Sequence, residues 1–464
     1  MGELYVEVNT QVSTPDYQTE RNPVDAWLPI TKSRKGNAYT STFHLICSGI
    51  GLQALLLPFA FAALGWFWGI VSLILAFGWQ FYTIWLLVHL HESESVSGTR
   101  YSRYLRLSIA AFGVKLGKLL AIFPVMYLSG GTCVLLIINA GTAIELLYQT
   151  MCSNGICNPK AFTGAECFLV FVCLAITVAL FCSNLNSVAG VSFIGAITAV
   201  GYCTLIWVVS VPKGKPDGTS YASSMVTSSE IGRFRCVLTA LGIIALAFRG
   251  HNVVLEIQGT MPSNPKHASN EPMWKGVKMS YLFISLCYFP LAIGGYWACG
   301  NKIPTSGGVL GALSGLSEQN TSKFVKGFIY VLIVISSLCS FQIYAMPVFD
   351  NLEFIYVNKK NKECPRRLRL GIRFFFGGLT YFIAVALPFL GSLAALLGGI
   401  ALPLTCAYPC FMWIAIKKPR PNGAMWWSNL CLGCLGIVLS VLLVVAAVRN
   451  LVINGLDANF FNPH

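Results

Sequence analysis

The sequence predicts an all-α integral membrane protein of about eleven transmembrane helices, built as two five-helix units of opposite orientation plus one further helix, with helices 1 and 6 broken. Three observations predict it. Of the 464 residues, 55% are hydrophobic and only 11% charged, too little charge to keep a soluble chain of this length dispersed. Apolar stretches of roughly 18 or more residues recur, each long enough to cross a hydrocarbon core of about 30 Å. Two of these stretches carry a glycine interruption near mid-membrane depth, and each opens its half of the pattern: Ser48-Gly49-Ile50-Gly51 and Phe248-Arg249-Gly250-His251.

Taken in order, residues 1–38 are polar, contain Pro15, Pro23 and Pro29, and read as a cytosolic tail with no cleavable signal. Residues 39–64 and 67–90 form the first two spans. The loop that follows carries Arg100, Tyr101, Arg103, Tyr104, Leu105 and Arg106, the pattern of an interfacial amphipathic helix. Spans three to five fall at about 117–147, 163–182 and 189–211, which completes a first repeat over 39–211. Residues 212–235 read as an extracytoplasmic loop. The second repeat, 236–416, holds the broken sixth span ending in Gly259-Thr260-Met261-Pro262, then spans at 276–298, 324–348, 374–390 and 393–416, with Gly391 opening a tight link between the last two. The eleventh helix and a short tail occupy 417–464. An odd-numbered unit must be inverted relative to its copy, so the repeat follows from the span count and the paired breaks.

Net charge is +14, but the charge sits between spans and no basic-aromatic patch of a nucleic-acid module occurs. With the N-terminus in the cytosol, about 22 Lys and Arg residues fall on that side against about 9 on the other, a positive-inside bias. This puts the C-terminus outside, with Asn320 of Asn320-Thr321-Ser322 as a glycosylation candidate. Most of the 17 cysteines lie inside spans and act as small apolar packing residues. Cys152 and Cys157, in a short polar loop on the outer side, are the candidate disulfide. Neither Cys431-x-x-Cys434 nor any other set shows metal-ligand spacing, so no metal and no cofactor are expected. No His-Glu-x-x-His, Gly-x-Ser-x-Gly or paired intramembrane aspartates occur, which speaks against an enzyme.

Interrupted helices at matching positions of two halves point to a transporter binding site, because unwound backbone survives in a membrane only where it is buried in protein or lines a cavity. The residues around both breaks also carry a resemblance. Gly49-Ile50-Gly51-Leu52 through Leu57-Pro58-Phe59-Ala60, and Gly250-His251-Asn252-Val253-Val254-Leu255-Glu256-Ile257-Gln258, are similar to the first and sixth helices of the plant amino acid/auxin permease family. The approach Asp25-Ala26-Trp27-Leu28-Pro29-Ile30-Thr31-x-Ser33-Arg34-x-Gly36-Asn37 resembles its lysine/histidine transporter-like branch. The likeness covers residues 22 to the end, and the sixth-helix motif is its most specific part. It implies a LeuT-type fold and a proton-coupled symporter that imports amino acids, with the plasma membrane as the expected location. Arg249 departs from the small or aromatic residue of many relatives.

The expected partners are therefore an amino acid, protons and the lipid bilayer. A half-helix starting after Gly51 points its positive end and bare amides at the substrate carboxylate, while carbonyls freed around Phe248, Arg249 and Gly250 accept from the ammonium. Ser48, Gly49, Ile50 and Gly51, with Thr42 nearby, are the candidates in the first break, and Tyr127 on the third span is a candidate wall. Close helix packing through Gly49 and Gly51 is the alternative. Arg249 cannot shed its proton and must find a partner: it clamps a substrate carboxylate, replaces the charge of a coupling sodium ion, or pairs with an internal acid such as Glu145 or Glu256. His251, Glu256 and His44 are the candidates for proton coupling. Ser129, Ser336, Ser337, Ser340 and Phe341 are expected to shape selectivity. A carrier of an organic acid such as auxin, or a sensor that has lost transport, remains as an alternative, and nothing in the sequence sets the oligomeric state.

Overall fold

A computed structural model describes residues 26–92, 100–152, 162–182, 184–213, 219–221, 230–264, 267–303, 308–315, 322–387 and 390–453. Asn320 and Cys157 lie outside these residues. Cys152, which ends a helix, is disulfide-bonded. Among the described residues the secondary structure is helical apart from isolated bridges at Glu92–Arg100 and Asn264–His267. Among the described residues, ten helices are long and apolar enough to cross a membrane.

The first break is where the sequence puts it. Helix α1, Ala38–Gly49, starts from a capping box in which Asn37 and Thr40 exchange side-chain and backbone hydrogen bonds. It stops at Gly49, and α2, Leu52–Leu90, begins after an extended Ile50-Gly51. Non-helical backbone at Gly65 (φ 76°, ψ 177°) divides α2 into two rods, matching the expected link between spans one and two. The chain then forms α3 (Tyr104–Phe112), α4 (Val114–Cys152), α5 (Gly164–Phe181) and α6 (Ala189–Ser210). Helix α5 starts from a second capping box, Thr163 with Glu166.

The second break separates α7, Glu230–Ala247, from α8, His251–Gly259. Gly250 has φ +134°, a conformation that L side chains rarely adopt, so the glycine is what permits the chain to leave one rod and enter the next here. Then come α9 (Asn270–Cys299), α10 (Gly308–Gly315), α11 (Lys323–Lys360), α12 (Arg366–Ala386), α13 (Leu390–Leu402), a π-helical turn at Pro403–Ala407, α14 (Tyr408–Lys417) and α15 (Ala424–Ile453). The helix α13 already runs through Gly391, so that glycine is inside a helix and not in the link expected from the sequence. Helix α11 runs on to Lys360, well beyond the expected end at 348; its extension carries Asp350 and Glu353, which are buried and paired with arginines and so tolerated.

The same pairing corrects the reading of Arg100 to Arg106 as a surface-lying helix. Helix α3 begins only at Tyr104, and the arginines before it turn inward. Arg100 binds Glu92 and the carbonyls of Gln258 and Met261. Arg103, 2% exposed, forms an ion pair with Asp350 at 2.6 Å and reaches the Thr31 hydroxyl at 3.3 Å. The segment from Trp27 to Gly36 is thereby strapped across one end of the bundle. The Ile30 amide donates to Asp350, the Leu185 amide to the Pro29 carbonyl, Arg369 to the Trp27 carbonyl, and the Gly36 amide to the Thr260 carbonyl. An expected charged loop becomes a buried latch because buried carboxylates on α11 need cations, and the nearest ones are here.

Candidate functional site

The two breaks meet, and Arg249 joins them. A Cβ built on Gly51 would lie 2.7 Å from Arg249 Nη2, so the missing side chain of Gly51 is the space the guanidinium fills. Gly51 itself is extended (φ −163°), a backbone any residue adopts, so close approach and not conformation calls for glycine there. Arg249 is 3% exposed. Its Nη1 donates to the Thr132 hydroxyl of α4 at 3.2 Å, and its guanidinium lies over the Tyr344 ring of α11 at 4.9 Å. Its Nε and Nη2 have no acceptor among the described residues, and it pairs with neither Glu145 nor Glu256. A buried arginine with two idle donors beside two helix starts can donate to an anion.

The freed carbonyls tell a different story from the one expected. The hydroxyls of Tyr344 and Tyr288 donate to the Ser48 and Gly49 carbonyls, Tyr202 donates to Gly51, Tyr281 to Phe248, and Ser340 to Cys47. Gln53 donates a second bond to Gly49 at 2.6 Å. The Gly250 carbonyl accepts from the amides of Val253 and Val254. Phenols from α6, α9 and α11 thus take up four of the carbonyls at the breaks, since a bare carbonyl in an apolar interior costs about as much as a lost hydrogen bond. These tyrosines were the functional residues the sequence hid. The available signal was that a phenol in an apolar span needs a partner.

Other candidates take definite places. Ser48 and Ile50 are fully buried, and the Ser48 hydroxyl turns back to the Leu45 carbonyl at 3.4 Å. Gly49 faces Ile284, where an added Cβ would lie 2.5 Å from its Cδ1. Phe248 packs among Phe77, Tyr281 and Tyr288. The Thr42 hydroxyl is held by the Ala38 carbonyl at 2.8 Å, at the far end of α1 from the break. Helix α4 reaches the site through Thr132 and through Ser129, which accepts from Asn252 Nδ2 at 2.8 Å; Tyr127 on the same helix is half-buried. Asn139 of α4 reaches Ser337 at 3.3 Å. Phe341 is stacked away into Phe171 and Phe376.

The three proton candidates sit in three environments. His44 Nδ1 and the Ser192 hydroxyl are 2.7 Å apart, which ties α1 to α6. His251 Nε2 lies 2.9 Å from the Thr83 hydroxyl, and its Nδ1 has no partner among the described residues. Glu256 is five residues further along α8, about 7.5 Å down the axis. It is 3% exposed, its Oε2 is without a partner, and it lines a cavity of about 450 Å³ together with Arg103, Lys118, Asn351, Phe354 and Lys359. Among the described residues no three His, Cys, Asp or Glu side chains come together as a metal site.

Known proteins match this chain in sequence and in fold. The family described as transmembrane amino acid transporter protein matches residues 34–453. Lysine histidine transporter-like 8 of Arabidopsis thaliana is 48% identical over 463 residues, covering 100% of this chain and 88% of that protein. Lysine histidine transporter-like 7 of the same plant is 51% identical, covering 96% of this chain and 91% of its own length. GABA transporter 1, also from Arabidopsis thaliana, is 27% identical across 94% of this chain and 95% of that one. Among solved structures, a substrate-bound, outward-open Na+-coupled sialic acid symporter overlays with a TM-score of 0.54 at 13% identity, covering 91% of this chain and 90% of that one, which shows a shared fold. With relatives that are transporters and not enzymes matching nearly end to end, the chain belongs to the transmembrane amino acid transporter family.

Proposed function

We propose that the protein is a proton-coupled symporter that imports amino acids, in the plasma membrane, by alternating access. The observation that carries this reading is Arg249: a buried guanidinium with idle Nε and Nη2 donors, set against Gly51 where two broken helices meet. An α-carboxylate would accept from it and from the uncapped starts of α2 and α8, neither of which has a side-chain cap. Asn252 Oδ1 and Gln53 Oε1, both buried and without donors, would accept from the ammonium. The site would load from the side away from the N-terminal strap, and release would need the Arg103–Asp350 latch to part.

The two repeats, 39–211 and 236–416, move against each other in this mechanism, with the N-terminus cytosolic and the C-terminus outside. Glu256 is the proton carrier of choice among the three candidates. Glu256 lines a cavity large enough for several waters and keeps one oxygen without a partner, whereas neither His44, bound to Ser192, nor His251, bound to Thr83 through Nε2, lines that cavity. Uptake of labelled amino acids by proteoliposomes holding the purified chain tests the reading. Uptake should follow an imposed inward proton gradient in sodium-free buffer; dependence on sodium, with indifference to that gradient, would reject proton coupling.

A further inference from the structure

We infer that the cavity of about 450 Å³ between α4 and α11 seats the headgroup of an anionic phospholipid, drawn from the leaflet on the side of the N-terminal strap. This site is separate from the two breaks and goes beyond the carrier reading. It follows from how the two helices cross. Asn139 of α4 meets Ser337 of α11, and Cys133 meets the Phe341 carbonyl, so residue numbers rise along one helix as they fall along the other. Lys118 stands in the second turn of α4 and Lys359 next to the last residue of α11. Antiparallel packing therefore brings both lysines to the same end of the cavity that they line. Beneath Lys118 come Ile122 and Val125, and beneath Lys359 come Ile355 and Leu352, the same steps of four and then three residues on each helix. That spacing keeps each set on one helix face, over about 10 Å of depth. Each wall is thus a cation above two aliphatic side chains, the order in which a phospholipid presents its phosphate and its acyl chains.

The charge at this mouth is not used within the protein. Lys118 and Lys359 are exposed and have no hydrogen bond or ion pair among the described residues. The acids near them are engaged or withdrawn. Asp350 is bound by Arg103, Glu353 by Arg369, and Glu256 is 3% exposed on the wall that α8 supplies. The guanidinium groups of Arg103 and Arg106 lie over the Phe354 ring at 5.5 and 5.7 Å and add cations to the same wall. Beside the mouth, Leu119, Ile122 and Ile355 are exposed and offer an apolar face to acyl chains. A water-soluble anion would use the lysines and leave the aliphatic stripes idle. A zwitterionic lipid would use the stripes but bring no net charge to two ammonium groups. An anionic phospholipid uses both, with the lysine stems lying along apolar surface and the ammonium groups at headgroup depth. With the N-terminus cytosolic, as proposed above, the leaflet concerned is the one that carries anionic lipid.

The test titrates the full chain, purified in detergent, with phosphatidylserine or with phosphatidylcholine of the same acyl chains, and reads retained lipid by native mass spectrometry. One phosphatidylserine should saturate the chain at a concentration at least about tenfold below that needed for phosphatidylcholine. Lys118→Ala together with Lys359→Ala should weaken phosphatidylserine binding about thirtyfold and leave phosphatidylcholine within about twofold. Both lysines are exposed, so the melting midpoint without added lipid should stay within a few degrees of wild type. Lys275→Ala together with Lys278→Ala removes the same charge from exposed positions on α9 and should change phosphatidylserine binding by no more than about twofold. Equal binding of the two lipids, or phosphatidylserine binding that the Lys118 and Lys359 substitutions leave unchanged, overturns the inference. So does displacement of the lipid by glycerophosphoserine at a comparable concentration, which would make this a site for a soluble phosphate ester. Uptake is not read, so none of these outcomes bears on whether the chain is a carrier.

Discussion

Gly51 and Arg249 are matched by size, since the guanidinium stands where any Cβ on residue 51 would be. Gly51→Ala asks only for a methyl on an extended backbone, so folding should survive, with a melting midpoint within a few degrees of wild type. The methyl would sit 2.7 Å from Nη2 and must push the guanidinium aside. Apparent substrate affinity should fall about tenfold or more, which corresponds to the loss of one charge-assisted contact; equal loss of folding and binding would favour the helix-packing role for this glycine. Tyr344 has two duties that one substitution separates. Tyr344→Phe keeps the ring under Arg249 but strips the hydroxyl from the Ser48 carbonyl. An orphaned buried carbonyl costs roughly 1–3 kcal/mol, so denaturant unfolding should shift by that amount even with the cation–π contact intact.

At the scale of elements, the strap from Trp27 to Gly36 and the ends of α3, α11 and α12 act as one latch. Its centre is the Arg103–Asp350 pair, both partners almost wholly buried. Breaking such a pair from one side leaves an uncompensated charge and costs on the order of 3–5 kcal/mol. Arg103→Ala should therefore raise hydrogen exchange at Ile30 and across the strap, and Arg103→Ala with Asp350→Asn together should recover part of the protection; an unchanged exchange pattern would deny the latch. The outer part of the latch responds to acid. The Lys32 ammonium, hydrogen-bonded to Glu363 at 3.2 Å, and then Arg369 hold that carboxyl below its ordinary range. A lowered value in the folded chain means the contact stabilises above the unfolded carboxyl range and is lost as pH falls through the folded value. Glu363 is mostly exposed, so the effect is small and screened by salt. Strap protection should loosen first at acid pH, and less so in Glu363→Gln.

For the molecule as a whole, the proposed mechanism turns on how a proton gradient would reach the proposed substrate site. Glu256 lies on α8, the rod that follows Gly250, so a proton taken or lost there would bear on the same element that faces the proposed site. Glu256→Gln should abolish accumulation against a gradient while leaving exchange of internal for external amino acid; loss of exchange as well would make Glu256 a structural or binding group instead.

Much of this architecture was legible in the chain. Span positions follow from apolar length, because the bilayer admits few other forms. Both breaks were visible at Gly49-Ile50-Gly51 and Arg249-Gly250, because the glycines recur at matching places in the two halves, and Arg249 stood out because a charge there is costly. Less visible was who satisfies whom. That four tyrosines from distant helices cap the opened carbonyls, that Gly51 is empty so that Arg249 can enter, and that Arg103 abandons the surface for Asp350 are contacts between residues 33 to 296 positions apart. Periodicity and composition constrain each rod and its depth, because those depend on local backbone bonding and on the solvent outside. Partners across the bundle depend on how the rods cross, and only the packed tertiary structure settles that.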